Sequence, residues 1–377
     1  MPGYELIGYK EKKALTKLID DGGILFAHGF DKIRKNYHVR EFEKKISIKF
    51  KSKYCLAVSS GTSAIKIALK ALGVKPGDEV ITQAFNFIAT IEAIIDCGAK
   101  PILVNVDKSL NMCPIELKKK ISKKTRVIVP VHMLGVSCDN DKIFQIAKKN
   151  KIKILEDNCE SIGGKYKKNF LGTLGDIGVF SLDFGKFITT GEGGILLTNN
   201  KKYHKFMMEY HDHGHENNPK LPRGEDTKTI PGFNYRMTEL QAVIGKVQLK
   251  KVNYILQQNF KRYQILKKYL SKYFDLRKVP INSTPNYDTF IFYVNKNEKE
   301  KVLKLINDCN FGTKNLPDAI KWHCSYYWDH VFNKKDIEGS IKTMKILKMS
   351  IALPILLKKS LKEYEVLAKN ILRAKKD

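Results

Sequence analysis

Residues 55–200 alternate short apolar runs with stretches of helical periodicity, and that alternation constrains the fold more than any other feature. The runs are CLAVSS (55–60), EVITQ (79–83), PILVNV (101–106), RVIVPVH (126–132), IKILEDN (152–158), IGVFSL (177–182) and GGILLTN (193–199). Between the earlier ones lie TSAIKIALKALG (62–73), FIATIEAIIDCG (87–98), PIELKKKI (114–121) and NDKIFQIAKKNK (140–151). Apolar strands separated by helices predict an α/β fold with a mostly parallel, seven-stranded sheet covered by helices. Ligands of such sheets bind beyond the carboxyl ends of the strands. Residues 236–272 read as one or two long helices. Past about residue 275 shorter mixed elements (FIFYV, then EKEKVLKLINDC) predict a smaller α+β C-terminal domain. The expected division is an N-terminal arm and helix over 1–40, a large domain over 41–250 and a small domain over 251–377.

Several classes of function are excluded or weakened. The chain carries 68 basic and 39 acidic residues, a net charge of +29, which suits a nucleic-acid binder. Sixty of the basic residues are lysine and eight arginine, and the lysines are spread over the whole chain without a basic tail. Arginine is the better reader of bases and phosphates, so the excess reads as a lysine-rich surface and no nucleic-acid partner is expected. An apolar content of 43% excludes general disorder. No run approaches the roughly eighteen apolar residues of a membrane span. The opening MPGYELIGYKEKK lacks a signal-peptide core, so no membrane association and a cytoplasmic location are expected. Seven cysteines without CxxC spacing suggest neither a disulfide framework nor a zinc module. No GxGxxG follows the first strand. Gly185-Lys186 imitates the end of a P-loop, but Phe180 stands where its first glycine belongs and Phe187 where Ser or Thr belongs.

Three segments at strand ends remain. In SSGTSA (59–64) a strand runs through Gly61 into a helix starting at Thr62–Ser63. Free N–H groups and hydroxyls there can cradle a phosphate, or serve only as an ordinary N-cap. ILEDNCESIGG (154–164) delivers Glu156 and Asp157 at a strand end, where an acid can hold a protonated ring nitrogen or cap a helix. In VFSLDFGKFITTGEGG (179–194), Lys186 is flanked by Phe184, Gly185, Phe187 and Ile188. A lysine in apolar surroundings has a lowered pKa and can form a Schiff base; otherwise it snorkels from a strand edge. Phosphate cradle, ring-nitrogen acid and buried lysine together are the parts a pyridoxal phosphate enzyme requires.

The order SSGTSA, GDEVITQAFNFIAT (77–90), LEDNCESIGG, FSLDFGK…TTGEGG and PGFNYRMTELQAVIGKVQL (231–249) resembles the DegT/StrS-type sugar aminotransferases over nearly the whole chain. That resemblance implies the fold type I architecture of aspartate aminotransferase, with pyridoxal 5'-phosphate as cofactor. It implies that Lys186 binds the cofactor as a Schiff base and shuttles the proton. It assigns Asp157 to the ring nitrogen and Phe87 to the ring face, unless Phe87 is a core residue. Gly61, Thr62, Ser63 and Ser181 fall at the phosphate. Asn234 matches a residue that reaches the phosphate of a neighbouring subunit, which implies a homodimer with composite sites. Glu160 departs from the commoner Gln or His, and a carboxylate there requires a proton or a cationic partner. A related branch has histidine in place of the lysine and dehydrates sugars; Lys186 favours transamination, with glutamate as donor and a keto-sugar as acceptor.

MPGYELIG, YHDHGHENNP (210–219) and GTKNLPDAIKWH (312–323) resemble the 8-amino-3,8-dideoxy-manno-octulosonate transaminase branch, which aminates an 8-keto Kdo sugar in making surface polysaccharide. The alternative is a perosamine synthase-like enzyme acting on a nucleotide-linked 4-keto-6-deoxyhexose or 3-keto-hexose. A non-catalytic regulatory member is disfavoured by the intact Lys186 and Asp157. His211, His213 and His215 alternate as along an extended segment, and no cluster completes a metal site, so no metal is expected. His213 or His215 is expected at the sugar. Arg223, Arg236 and Lys314 are candidate partners for a sugar carboxylate or glutamate, or else surface charge.

Overall fold

In the computed structural model, which describes residues 2–218 and 220–375, all seven apolar runs are strands of one sheet. They are β1 (Tyr54–Val58), β2 (Glu79–Gln83), β3 (Lys100–Val104), β4 (Thr125–Val129), β5 (Lys153–Asp157), β6 (Ile177–Ser181) and β7 (Gly194–Thr198). Met1 of the opening segment, Pro219 of the histidine segment, Lys376 and Asp377 lie outside the described residues. The order across the sheet is β1-β7-β6-β5-β4-β2-β3. Neighbours from β3 to β6 are parallel, whereas β7 runs antiparallel to both β6 and β1. The reversal has a local cause. The link from Ser181 to Gly194 contains no helix, and without a crossover the chain can only return antiparallel.

The strands feed two cores by simple alternation. Leu56 and Val58 of β1, Val179 of β6 and Leu196 of β7 face a core closed by the Gly61–Ala71 and Lys201–Tyr210 helices. Ala57, Phe180, Ile195 and Leu197 face the opposite core, closed by the His38–Phe50 helix and by Ala242, Leu249, Val252 and Ile255. Burial on both faces explains why these strands read as continuous apolar runs rather than as alternating ones.

Residues 236–272, readable as one helix or two, form one: Glu239–Leu270, capped by a reciprocal Thr238–Gln241 pair. Its second half supplies Leu266 and Leu270 to the core of a smaller lobe. That lobe holds an antiparallel pair, Thr289–Tyr293 with Ser350–Pro354, and the Lys296–Asp308 and Leu361–Ile371 helices. The expected 250/251 boundary falls within the long helix. Near the N-terminus the Tyr9–Asp20 helix lies on it, with Glu11 accepting from Gln248 Nε2 at 2.9 Å and pairing with Lys251. No helix among the described residues is long and apolar enough to cross a membrane.

Candidate active site

A cavity of about 410 Å³ opens where β5 and β6 end and the Gly61–Ala71 helix begins. The helix start is built by Ser60. Its Oγ accepts the Ser63 N–H (3.0 Å), while Ser63 Oγ accepts the Ser60 N–H (3.0 Å) and donates to Ser60 O (2.8 Å). The Ser63 hydroxyl is thereby committed to the cap and does not line the cavity, which narrows the expected cradle to Gly61, Thr62 and Ser181. A Cβ at Gly61 would lie 2.9 Å from Ser181 Cβ, so this close approach of helix and strand requires glycine. Gly61→Ala is expected to shift the helix start. Overpacking of about 1–3 kcal/mol corresponds to roughly 5- to 150-fold weaker cofactor binding. A spectroscopic titration with pyridoxal phosphate checks this; wild-type affinity would contradict it.

The adjacent acids of β5 point in opposite directions, as successive strand residues must. Glu156 is fully buried. Its Oε2 accepts the Gly172 N–H (3.0 Å) and lies 3.2 Å from His132 Nε2, and its Oε1 accepts the Leu174 and Gly175 N–H groups (2.6 Å each). It is a structural acid. Asp157 lines the cavity, its Oδ2 accepting the Thr90 hydroxyl (2.9 Å) and its Oδ1 the Cys159 N–H (3.1 Å). Phe87 lines the cavity, 44% exposed, with its ring 5.4 Å from that of His323, so it is no core residue.

Lys186 sits on the turn after β6, its Nζ 3.7 Å from Glu160 Oε1. Glu160 is anchored from two sides: Oε2 accepts the Leu134 N–H (3.0 Å) and Oε1 accepts Asn315 Nδ2 (3.3 Å). The apolar neighbours expected around the amine do not surround it. Phe187 and Ile188 turn into the core behind, and Phe184 is exposed and stacked on Tyr4. Burial acts to lower the Lys186 pKa, but Glu160, with smaller contributions from Cys159, Asp183 and Asp157, outweighs it and holds the amine above the usual lysine value. The expectation of a lowered pKa is corrected on this point. Burial likewise acts to raise the Glu160 carboxyl, and Lys186, Lys314 and His323 bring it down to about 2.

Of the expected substrate contacts, Lys314 lines the cavity, its Nζ 2.8 Å from Asp288 Oδ2. Arg223 and Arg236 do not: both donate to the buried Asp212 carboxylate, at 2.5 Å and 2.6 Å. The histidine segment is not extended. The Lys201–Tyr210 helix runs into it, His211 caps that helix and is buried, and exposed His213 adopts a left-handed backbone (φ 54°). His215 Nδ1 lies 2.7 Å from Asp226 Oδ1. None of the three lines the cavity. Asn234 is exposed and also outside the cavity of its own chain. Among the described residues no three His, Cys, Asp or Glu side chains are grouped as a metal site requires. Thr90, Asn315 and His323 line the cavity and were not singled out from the sequence. Thr90 lies in the first turn of the Ala89–Asp96 helix, which Phe87 precedes, so no helical spacing links the two.

The model of the DegT/DnrJ/EryC1/StrS aminotransferase family matches residues 28–371. The chain belongs to that family. GDP-perosamine synthase of Caulobacter vibrioides is 38% identical over 214 residues, 56% of either chain, so the chain spans little more than half of that relative's length in the match. GDP-perosamine synthase of Escherichia coli O157:H7 is 33% identical over 270 residues, 71% of either chain. The crystal structure of an aminotransferase from Psychrobacter cryohalolentis superposes with a TM-score of 0.84 at 25% identity, covering 97% of this chain and 96% of that one. The sheet described above is thus the fold type I sheet of DegT/StrS enzymes.

Proposed function

We propose that the chain moves the amino group of glutamate to a keto-sugar, with the cofactor held in the cavity at the ends of β5 and β6. The observation that carries this reading is the convergence on one cavity of the Lys186 amine, the Asp157 carboxylate and the free N–H groups of the helix at Gly61. That donor set fits a phosphorylated pyridine aldehyde. Gly61 and Thr62 hold the phosphate through N–H groups that a helix start leaves unpaired, and Ser181 adds a hydroxyl. Asp157, fixed by Thr90 and Cys159, would pair with the ring nitrogen and favour its protonated form. Phe87 covers one side of the ring. When bound, the cofactor supplies an electron sink for the carbanion left by proton loss from the amino acid. The Lys186 amine would take that proton from the substrate carbon and deliver it to the cofactor carbon, and would run the transfer in reverse for the keto-sugar. Asn234, exposed and outside its own cavity, completes the site of a second copy in a homodimer.

For the acceptor, the relatives named GDP-perosamine synthase favour a nucleotide-linked keto-hexose. A second reading, the free 8-keto-3,8-dideoxy-octulosonate, rests on the 312–323 segment, whose Lys314, Asn315 and His323 wall the cavity. The test uses cofactor-loaded protein. Glutamate is expected to bleach the visible absorbance of the bound cofactor and yield 2-oxoglutarate. The keto-sugar that restores the absorbance, from a panel holding both classes, is the acceptor. An absorbance that glutamate leaves unchanged would sink the proposal.

A further inference from the structure

Glu160 and Lys186 come from different turns, after β5 and after β6, yet meet at 3.7 Å inside the cavity. The glutamate is the more firmly held of the two. Its side chain is 8% exposed against 20% for the lysine. Leu134 holds one carboxylate oxygen and Asn315 the other, and its own carbonyl accepts Asn286 Nδ2 at 3.2 Å. Two of those donors come from the smaller lobe's side of the cavity, so the carboxylate is a fixed point to which the lysine is drawn.

Other charges facing the pair are already matched or more remote. Asp157 is committed to Thr90 and Cys159. Asp183 lies on the lysine's own turn, where its Oδ2 accepts the Gly185 N–H at 2.8 Å. From the smaller lobe, Lys314 pairs with Asp288 and His323 Nδ1 lies 2.9 Å from Ala319 O. The half-buried Cys159 thiol has its pKa pushed up, chiefly by desolvation, and stays neutral. Among the described residues, Glu160 is the one carboxylate within ion-pair distance of the Lys186 amine.

We infer that Glu160 is a positioning residue that docks the Lys186 side chain as an ammonium in the cofactor-free chain and so sets how fast pyridoxal phosphate is captured. The inference rests on the proposed cofactor role of Lys186. Capture requires the neutral amine. Its nitrogen adds to the aldehyde carbon, C=N replaces C=O, and the oxygen leaves as water with the two amine protons. The further proton of the ammonium must first pass to solvent, and Glu160 opposes that loss.

The test is stopped-flow uptake of pyridoxal phosphate by cofactor-free wild type and Glu160→Gln over about pH 6 to 9, below the ordinary lysine pKa of about 10.4, where the neutral fraction of the amine rises about tenfold per pH unit. Uptake at neutral pH is expected to be about 10- to 1,000-fold faster in the variant, the effect of removing an opposite charge at this distance, with the pH profile displaced downward. Identical profiles would overturn the inference. A second measurement needs no cofactor: carbamylation by cyanate, read by mass spectrometry of the peptide carrying Lys186. Faster labelling of Lys186 alone supports the inference. A rise shared by all lysines, which signals an opened fold, counts against it. If labelling shifts but neither protein takes up cofactor, the cofactor reading fails while the hold of Glu160 on Lys186 stands.

Discussion

Lys186→Ala is expected to reduce turnover by at least about 10^4-fold, the upper end of what a positioned acid–base group contributes. No other side chain can take its place. Lys314 is the second amine lining the cavity, and its Nζ is bound to Asp288 at 2.8 Å. Lys186→Arg separates charge from chemistry. It preserves a cation beside Glu160 but cannot become a neutral nucleophile or proton carrier, because a guanidinium does not deprotonate in this range. Both variants are therefore expected to be inactive, and only the arginine variant keeps the ion pair. Single-turnover reaction with glutamate, followed by 2-oxoglutarate release, checks this. A rate within about tenfold of wild type in either variant would remove Lys186 from the mechanism, since one positioned proton carrier is worth more than that. The fold is expected to survive, since Glu160 keeps its bonds from Leu134 and Asn315.

What could be read beforehand followed from burial and spacing. Most of the strands were legible because they pack against helices on both faces, β3 at the sheet edge being only partly buried, and the helices because their apolar stripes close those cores. The direction of β7 was not, since periodicity carries no sense of orientation and only the missing crossover between Ser181 and Gly194 decides it. In the site, the segments bearing Gly61, Asp157 and Lys186 were found, but the partners that define their chemistry were not. Glu160 reverses the expected pKa shift of Lys186, and nothing local announces that these two residues meet across the cavity. The histidines misled for a related reason. Alternation implies an extended chain only if no helix runs into it, and the Lys201–Tyr210 helix does. Arg223 and Arg236 read as anion partners or surface charge because their partner, Asp212, is a single acid among three histidines with no local signal that the arginines return to it.

Asp212→Asn is expected to destabilise the fold by about 3 kcal/mol, the lower end for breaking a buried ion pair, because the arginines retain some access to water. The carboxylate is fully buried, with Oδ1 accepting Arg223 Nη2 (2.5 Å) and Arg236 Nη1 (2.6 Å), and Oδ2 accepting Arg223 Nη1 (2.5 Å) and Asn217 Nδ2 (3.2 Å). Burial acts to raise its pKa, but the bonds from Arg223 and Arg236, with His28 nearby, hold it far below the usual aspartate range. A depressed folded-state pKa stabilises at every pH above the ordinary value of about 3.9, and that contribution is lost as pH falls through the depressed value. Urea unfolding should therefore show a lower midpoint at unchanged slope for the variant near neutrality, with the gap to wild type closing in strong acid. The loss should also reach the cofactor. Arg236 forms a bridge with Val58 at the end of β1, and the neighbouring Tyr235 carbonyl accepts the Ser59 N–H at 2.8 Å, directly before the Ser60 cap. Loosening that bond by about 1 kcal/mol corresponds to roughly fivefold weaker cofactor binding. A variant that unfolds like wild type would show that the two arginines are held by other means; one that is destabilised yet binds cofactor normally would show that the cap at Ser60 holds its place without them.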